Sequence, residues 1–436
     1  MAPDARFLQV YQAFGWTTTT WMAQGTDGGP GALPAGVTLV PGGGGDPVHP
    51  FAGALGEQVL KFAAGSSLTI SSETGAGNGV TPTATKRWAL IWSGILWLPA
   101  YPAAEGTLLS GANDPFALNV TPAGALRLYT GSGLPLVGTS TAVLPTGQWL
   151  QLEVWEAYRD SAGNLLTTKQ WVVRTATLTA PPVYTTFLNV NANPSQNLAS
   201  GGFTASWGST SSVAPFGLNP LFYVCNVWGG WEDAANPMGV HRVDGQRPSV
   251  VKGVGHWNQW PGNPAHVNEA LPDGTTTQDT AAVDSGNSPW SQLYRLTDPA
   301  YIAAADLLTD SLMLGEEISV TPGAKGVTNN LFPMMSDGVN DHNWTALALV
   351  SGYQEALRLT LSESAPWSSP QWTLGQLTAM QAGAQATSNA TGGSGNNAVA
   401  MSTVLMLVPY QKAGETGTAL PAPVTAGFPY SRVVLV

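Results

Sequence analysis

Carboxylates and histidines are the residues with which this chain could do acid–base or metal chemistry, and their spacing works against both. Glu153 and Glu156 stand three apart in Trp149–Glu156, a run that reads as a β-strand. Side chains three apart on a regular strand point to opposite faces. Glu316 and Glu317 are adjacent and diverge for the same reason. Retaining hydrolysis of a glycosidic bond needs two carboxyl groups roughly 5 Å apart, so neither pair is expected to perform it. The histidines are His49, His241, His256, His266 and His342, and none forms a His-x-x-x-His or His-Glu-x-x-His pair, which a helix-borne zinc site requires. His256 and His266 flank an irregular Trp-rich loop and are read as exposed or hydrogen-bonding residues. There is no Gly-x-Ser-x-Gly elbow, and the Gly42–Gly45 run lacks the Lys and the helix of a phosphate loop. Ser336–Asp341 holds oxygens suited to Ca²⁺, but an Asx turn explains the same residues and is preferred. No catalytic residue, metal or cofactor is therefore expected.

The other side chains able to make specific contacts are aromatic. The 436 residues include 17 Trp against 16 Lys and Arg together, and only 10% are charged, where an average domain has roughly 25%. Large rings dominate cores and interfaces alike, so much of the surface is expected to be hidden in an assembly. Trp88, Trp92, Trp149, Trp155 and Trp171 fall in strand-like runs and read as core or sheet-face residues. Trp228-Gly-Gly-Trp231 and Trp257-Asn-Gln-Trp260-Pro read as loop rings. Trp228, Trp231, Trp257 and Trp260 are thus the candidate contact residues. They could plug a junction between domains, pack on a neighbouring subunit or stack on a sugar, and junction or subunit packing is preferred.

The net charge of −11 excludes phosphate-backbone binding as a main task, since that needs a basic footprint. It argues equally against an anionic membrane surface. The single cysteine, Cys225, rules out an internal disulfide framework and a Cys-based zinc site, and reads as a small buried hydrophobe in a strand. Met1–Arg6 has no basic region followed by an apolar core, so no secretory signal is expected. Trp88–Ala100 is too short and too interrupted to span a bilayer.

The elements that must position these residues are strands. Phe116–Val120 alternates, Thr121–Ala125 turns and Leu126–Tyr129 returns, a hairpin. Within Trp149–Glu156, Leu150, Leu152 and Val154 line one face; a turn at Asp160–Asn164 leads to the return strand Lys169–Arg174. Trp88–Leu98 is apolar on both faces, as a covered central strand must be, and Phe222–Trp228 is a further buried strand. Pro30–Pro50 and residues 385–397 read as long surface loops, the latter before a strand at Ala398–Val408. Short helices are expected after Asp298-Pro299, over 300–308, and after Thr373, ending at Gly383. The fold class is all-β. The length suits two domains, placed at 1–250 and 251–436.

Two stretches carry a resemblance. Gly53–Gly56 with Val59–Phe62, the paired strands around Gly124, and Gly147-Gln-Trp149 opening a central strand resemble the laminin-G-like, concanavalin A-like jelly rolls of phage virion proteins. Met238–Val243, Trp257–Gly262, Val267–Glu269, Pro272–Thr276, Pro366, Trp372-Thr373 and Leu377–Gly383 follow in an order similar to the region after the jelly roll in phage and prophage structural proteins. The chain departs from that pattern at Pro220–Tyr223, where an Asp-rich entry is common, and at Thr275, where a second Asp is usual.

The resemblance implies a jelly-roll sandwich followed by a second β-sandwich-like domain. It implies a non-enzymatic structural part of a phage virion, made in the host bacterial cytoplasm: capsid decoration, tail or fibre. Its partners would be other virion proteins and further copies of itself, a trimer if it forms a fibre, with neither nucleic acid nor membrane insertion. The fold also hosts lectins and glucanases. A receptor for a host surface glycan is therefore the main alternative and a glycan-degrading enzyme a weaker one. Glucanases of this fold carry Glu-x-Asp-x-Glu on one strand, and no Glu-x-Asp occurs here.

Overall fold

A strand that is apolar on both faces can only be stable with a layer over each of them, and the first sheet forms around such a strand. The computed structural model describes residues 5–11, 20–21, 31–40, 42–51, 59–71, 89–111, 115–160, 164–179, 181–195, 204–232, 240, 242–246, 248–251, 279–283, 290–296, 302–303, 307–308, 312–321, 329–336, 341–343, 347–349, 352–354, 360–362, 374–388 and 397–411. Two compact units are present, one built on Ala32–Arg242 and the other on Val243–Tyr410.

The strands of the first unit are β1 (Ala5–Tyr11), β2 (Thr20–Trp21), β3 (Gly31–Ala32), β4 (Val37–Val40), β5 (Val59–Phe62), β6 (Ser67–Ser71), β7 (Ala89–Trp97) and β8 (Gly106–Gly111). They continue with β9 (Phe116–Val120), β10 (Ala125–Thr130), β11 (Leu136–Val143), β12 (Trp149–Arg159), β13 (Leu165–Thr177), β14 (Tyr184–Pro194), β15 (Thr204–Gly208) and β16 (Phe222–Glu232). An eight-stranded sheet runs β14-β13-β12-β7-β16-β5-β4, with β1 also on β16. A six-stranded sheet runs β11-β10-β9-β8-β15-β6. All of these pairings are antiparallel.

The two sheets share one core, a β-sandwich of the jelly-roll type. Leu90, Trp92 and Leu96 of β7, Leu152 and Val154 of β12, and Trp171 and Val173 of β13 meet Phe116, Leu118, Leu126 and Leu128 of the six-stranded sheet. Trp171 lies 5.3 Å from Phe116, ring to ring, and Phe62 stacks on Phe222 at 4.5 Å. The alternate residues of the same strands are buried as well: Ile91, Ser93 and Ile95 of β7, and Gln151, Glu153 and Trp155 of β12. The large sheet is therefore covered on both faces at its centre. At Gly94 core side chains press on the backbone, since a Cβ there would sit 2.8 Å from the Trp207 ring and 2.9 Å from Val224.

The second unit is also antiparallel. Its strands are β17 (Arg242–Gln246), β18 (Pro248–Val251), β19 (Asp279–Val283), β20 (Trp290–Leu296), β21 (Leu307–Leu308), β22 (Leu312–Thr321) and β23 (Asn329–Ser336). After β24 (Asp341–Asn343), β25 (Leu347–Leu349), β26 (Gly352–Gln354) and β27 (Thr360–Ser362) come the helix α1 (Leu374–Ala379), β28 (Gln381–Ser388) and β29 (Asn397–Gln411). Seven strands gather around β29 and β22, and six around β20, β28 and β23. Tyr294, Met334, Met335, Met380 and Ala382 are buried.

Four expectations are corrected. Pro30–Pro50 is not one loop: β4 lies within it and pairs with β5. Val37 and Leu39 alternate with Thr38 and are buried, a short signal hidden between glycines and prolines. Residues 385–388 belong to β28, where pairing with β20 and β23 overrides their low strand propensity; 389–396 lie outside the described residues. Of the segment expected as a helix over 300–308, Leu307–Leu308 is a strand paired with β29, and Ile302 and Ala303 are not helical. The N-cap and Pro signal there is local, and burial of Ile302 is tertiary. The helix expected after Thr373 is present as α1, but Gly383 is in β28 rather than at its end.

Gly94→Ala is expected to cost about 1–3 kcal/mol, the usual penalty of overpacking a core. Combined with Trp207→Phe it should cost less than the sum of the two single changes. Urea unfolding of the four chains measures that coupling.

Candidate functional site

The ionisable groups on the central strands are tied up in pairs. Glu153 accepts hydrogen bonds from the Arg174 guanidinium and from Gln151 Nε2, the latter at 2.8 Å, and Gln151 also reaches Ser93 Oγ at 3.1 Å. Arg174 lies 4.5 Å over the Tyr184 ring. Glu156 accepts from Lys169 Nζ at 3.0 Å, and that ammonium lies 5.1 Å over the Tyr158 ring. Glu153 sits opposite Ser93 and Arg174 while Glu156 sits opposite Leu90 and Trp171, two core residues. The two carboxylates thus occupy opposite faces of β12, as their spacing predicts. On the six-stranded sheet, Glu105 accepts from Arg127 (2.7 Å), Tyr129 (2.8 Å) and Asn119 (2.9 Å). That bond and charge from Glu105 raise Arg127 above the ordinary arginine value, while burial first and Glu105 second raise Tyr129.

A different arrangement lies where the strands of the large sheet end. Cross-strand register puts Trp149 of β12, Trp97 of β7, Tyr223 of β16, Lys61 of β5 and Thr38 of β4 in one row. These residues alternate with the core residues Leu150, Leu96, Val224, Leu60 and Leu39, so the row is on the face away from the core. The Trp97 and Trp149 rings are half-buried and meet edge to face, 5.5 Å apart at 60°.

The loop after β4 closes over this row. Trp149 Nε1 donates to Val48 O at 2.9 Å, while Lys61 Nζ and Tyr223 OH both donate to Asp46 Oδ1, at 2.7 and 2.6 Å. Gly43 and Asp46 exchange backbone hydrogen bonds of 2.9 and 3.2 Å, which fixes the turn. Gly42 is required there: its φ is +83°, and a Cβ would lie 2.7 Å from Val48 Cα. Hydrogen bonds from Lys61 and Tyr223 hold Asp46 below the usual carboxylate range against the opposing effect of burial. Burial first, then the bond to Asp46 and its charge, push Tyr223 up to about 12.

Of the four tryptophans singled out by sequence, Trp228 and Trp231 are in β16 rather than in a loop. Trp228 is opposite Ser93 and Val10, and Trp231 opposite Leu90 and Phe7. The Gly-Gly between them suggested a turn, but β16 continues because β7 and β1 pair with it on either side. A bulge at Asn226, φ +46°, absorbs the irregularity instead. Trp257 and Trp260 lie outside the described residues, as do His256, His266 and Asp337–Asn340. Cys225 is a buried strand residue. Asp46, Lys61, Trp97 and Tyr223 carried no recognisable motif. Their only advance sign was Trp97 and Trp149 standing at strand ends beside Pro99 and Gly147.

No family model matches the chain, and no curated protein matches it. Solved structures that the chain matches in part include a Trypanosoma rangeli sialidase, at TM-score 0.28 and 12% identity over 52% of this chain. The match spans only 30% of that enzyme. A PL-14 alginate lyase from Aplysia kurodai matches at TM-score 0.29 and 13% identity, over 45% of this chain and 87% of the lyase. Particles of infectious bursal virus match at TM-score 0.19 and 12% identity, over 96% of this chain and 76% of theirs. These are coarse likenesses among β-rich proteins. Among the described residues no helix is long and apolar enough to cross a membrane.

Lys169→Met, which leaves Glu156 buried without its cation, is expected to cost about 3–5 kcal/mol, whereas Glu156→Leu with Lys169→Met should come close to wild type. Denaturant titration distinguishes the two. The phenol of Tyr223 is held neutral in the fold, so its contribution is complete below pH 10, its ordinary value, and is lost as pH rises through about 12. Tyr223→Phe should flatten that part of the stability–pH curve, read as the difference in unfolding midpoint between the two chains.

Proposed function

We propose that this protein is a non-enzymatic structural component of a phage virion, acting through the packing of its β-units against other virion subunits. The observation that carries the reading is that the carboxylates best placed for chemistry serve the fold: Glu153 is held by Arg174, Glu156 by Lys169 and Glu105 by Arg127. A carboxylate fixed by a buried cation on its own face of the sheet is poorly placed to share a substrate with one on the other face. The order of motifs from Gly53 to Gly383, which resembles phage structural proteins, supplies the setting. The scarcity of charge, 10% of residues, suits a surface that is largely covered by neighbours, and further copies of the chain are the natural first partners.

Mass spectrometry of particles purified from a host carrying the gene, with cross-linking to locate neighbours, tests this. The chain is expected in stoichiometric amounts, cross-linked to itself and to other particle proteins. Its absence from every particle, or a monomeric purified chain that depolymerises a polysaccharide, overturns the proposal.

A further inference from the structure

The exposed apolar side chains of the first unit are unevenly placed. Tyr101, Val143, Val183, Val213, Leu218 and Leu221 are all exposed, and all fall at one end of the sandwich. At that end β5, β7, β9, β11, β13 and β15 finish, and β6, β8, β10, β12, β14 and β16 begin. Val48 joins them, since its carbonyl is held by Trp149, the first residue of β12. Among the described residues, the other exposed large apolar side chains are Leu136 and Leu165, which open β11 and β13 at the opposite end.

The same end is almost free of charge. Its connections, residues 63–66, 98–105, 121–124, 144–148, 178–183 and 209–221, contain one charged residue, Glu105, and Arg127 pairs with it. Asp46, which reaches the row beside this end, is paired with Lys61. The segments that join the strands at the opposite end include Glu57, Glu73, Lys86, Arg87, Asp114 and Asp160 in their sequence.

The apolar side chains stand on a fixed backbone. Asn219 is 1% exposed and ties two connections together, accepting from Ser66 N at 2.9 Å and donating to Ala63 O at 3.0 Å. Thr107 N donates to Gly217 O at 3.2 Å, and Tyr101 OH donates to Leu144 O at 2.9 Å. Every connection but 63–66 contains proline. Little ordering cost would therefore fall on binding. Large exposed apolar patches mark interaction sites, and depletion of charge is the signature of an interface core.

Charge selects the partner. The chain carries a net charge of −11, so two copies repel and meet most readily where neither presents unpaired charge. A two-fold contact needs a surface complementary to itself, which a neutral apolar end is and a charged one is not. A phospholipid surface fits less well. Membrane-docking surfaces combine apolar residues with Lys or Arg, and the cations near this end, Lys61 and Arg127, are both engaged.

The area suits a pair of copies too. The strands from β14 to β4, about 4.8 Å apart, span roughly 30 Å, and two sheets about 10 Å apart with their outer side chains span roughly 20 Å. The end face is thus on the order of 600 Å², near the roughly 800 Å² that each partner gives to a stable complex.

We propose that this end of the first unit binds the same end of a second copy about a two-fold axis, with Tyr101, Val213, Leu218 and Leu221 in the contact. This pairing rests on the packing role proposed above and adds its surface and its symmetry.

Sedimentation equilibrium of the purified full-length chain at micromolar concentration is expected to show two copies, or an even-numbered assembly built from such pairs. Val213→Glu with Leu218→Glu should weaken pairing about ten-fold or more. Both positions are exposed, at 72% and 50%, so the fold should survive. Thermal unfolding checks this, and Val213→Ser with Leu218→Ser replaces the charged variant should it be unstable. Leu136→Glu, at the opposite end, should leave pairing unchanged. Mixing the Glu double variant with a Val213→Lys, Leu218→Lys chain should restore association. A wild-type chain that stays monomeric, alone or while bound to phosphatidylcholine vesicles, overturns the proposal. So does pairing that the folded double variant leaves intact, pairing that Leu136→Glu weakens as much, or a mixture that fails to associate. Particle composition is measured separately: a monomeric chain found in particles sinks the pairing alone, and a paired chain absent from every particle sinks the virion role alone.

Discussion

The first unit depends on one constraint, the burial of β7 on both of its faces. Every residue from Ala89 to Leu96 is buried, and β7 is hydrogen-bonded to β12 on one side and to β16 on the other. One face needs the six-stranded sheet, and the tight contact of Trp207 on Gly94 shows how closely that sheet approaches. The opposite face, with Ile91, Ser93 and Ile95, is equally withdrawn from water. Burial at this density is what a chain with so many tryptophans requires: Trp92, Trp155, Trp171 and Trp207 are each at most 3% exposed.

Covering a sheet on both faces has an electrostatic consequence. Any charge on its central strands must be neutralised locally, because an isolated buried ion is prohibitively unstable. β12 and β13 carry four such groups, and each cation finds its carboxylate on the neighbouring strand: Glu153 with Arg174 on one face, Glu156 with Lys169 on the other. Aromatic rings of Tyr184 and Tyr158 lie under the two cations. Such pairs add little net stability relative to apolar residues of the same shape. What they add is register, since a one-residue slip of β13 would exchange the faces and strand all four charges.

This divides what could be read from the chain from what could not. Strand periodicity alone located β7, β12, the β9–β10 hairpin and the start of β16, and the three-residue spacing of Glu153 and Glu156 was enough to separate them across the sheet. The errors fell where non-local pairing decides conformation. Val37–Val40 is too short to announce itself among glycines, and it is a strand because β5 offers it a ladder. Trp228–Trp231 looked like a turn because Gly-Gly is locally a turn signal, yet ladders on both sides hold it extended. The row of Trp149, Trp97, Tyr223 and Lys61 spans more than 160 positions of sequence and four strands. No local pattern encodes such a juxtaposition, because the order of strands across a sheet is a property of the whole topology.

The location of that row follows from the same burial that fixes the fold. Where both faces of a sheet are covered, side chains become partly accessible only towards the strand ends, and in this row even there Tyr223 stays buried beneath the loop while Trp97 and Trp149 are half-buried. Trp97 and Trp149 stand at such a boundary, the last residue of β7 and the first of β12, one step from the fully buried Leu96 and Leu150. A polar residue would serve the end of a strand as well or better were solvation the only consideration. Instead the loop carrying Asp46 and Val48 reaches back to hydrogen-bond the row at three of its members. Gly42, which cannot be replaced without a clash, gives the loop its return path. Trp149 is thus positioned by a backbone contact of the loop as well as by the sheet, and Lys61 and Tyr223 by the carboxylate of Asp46.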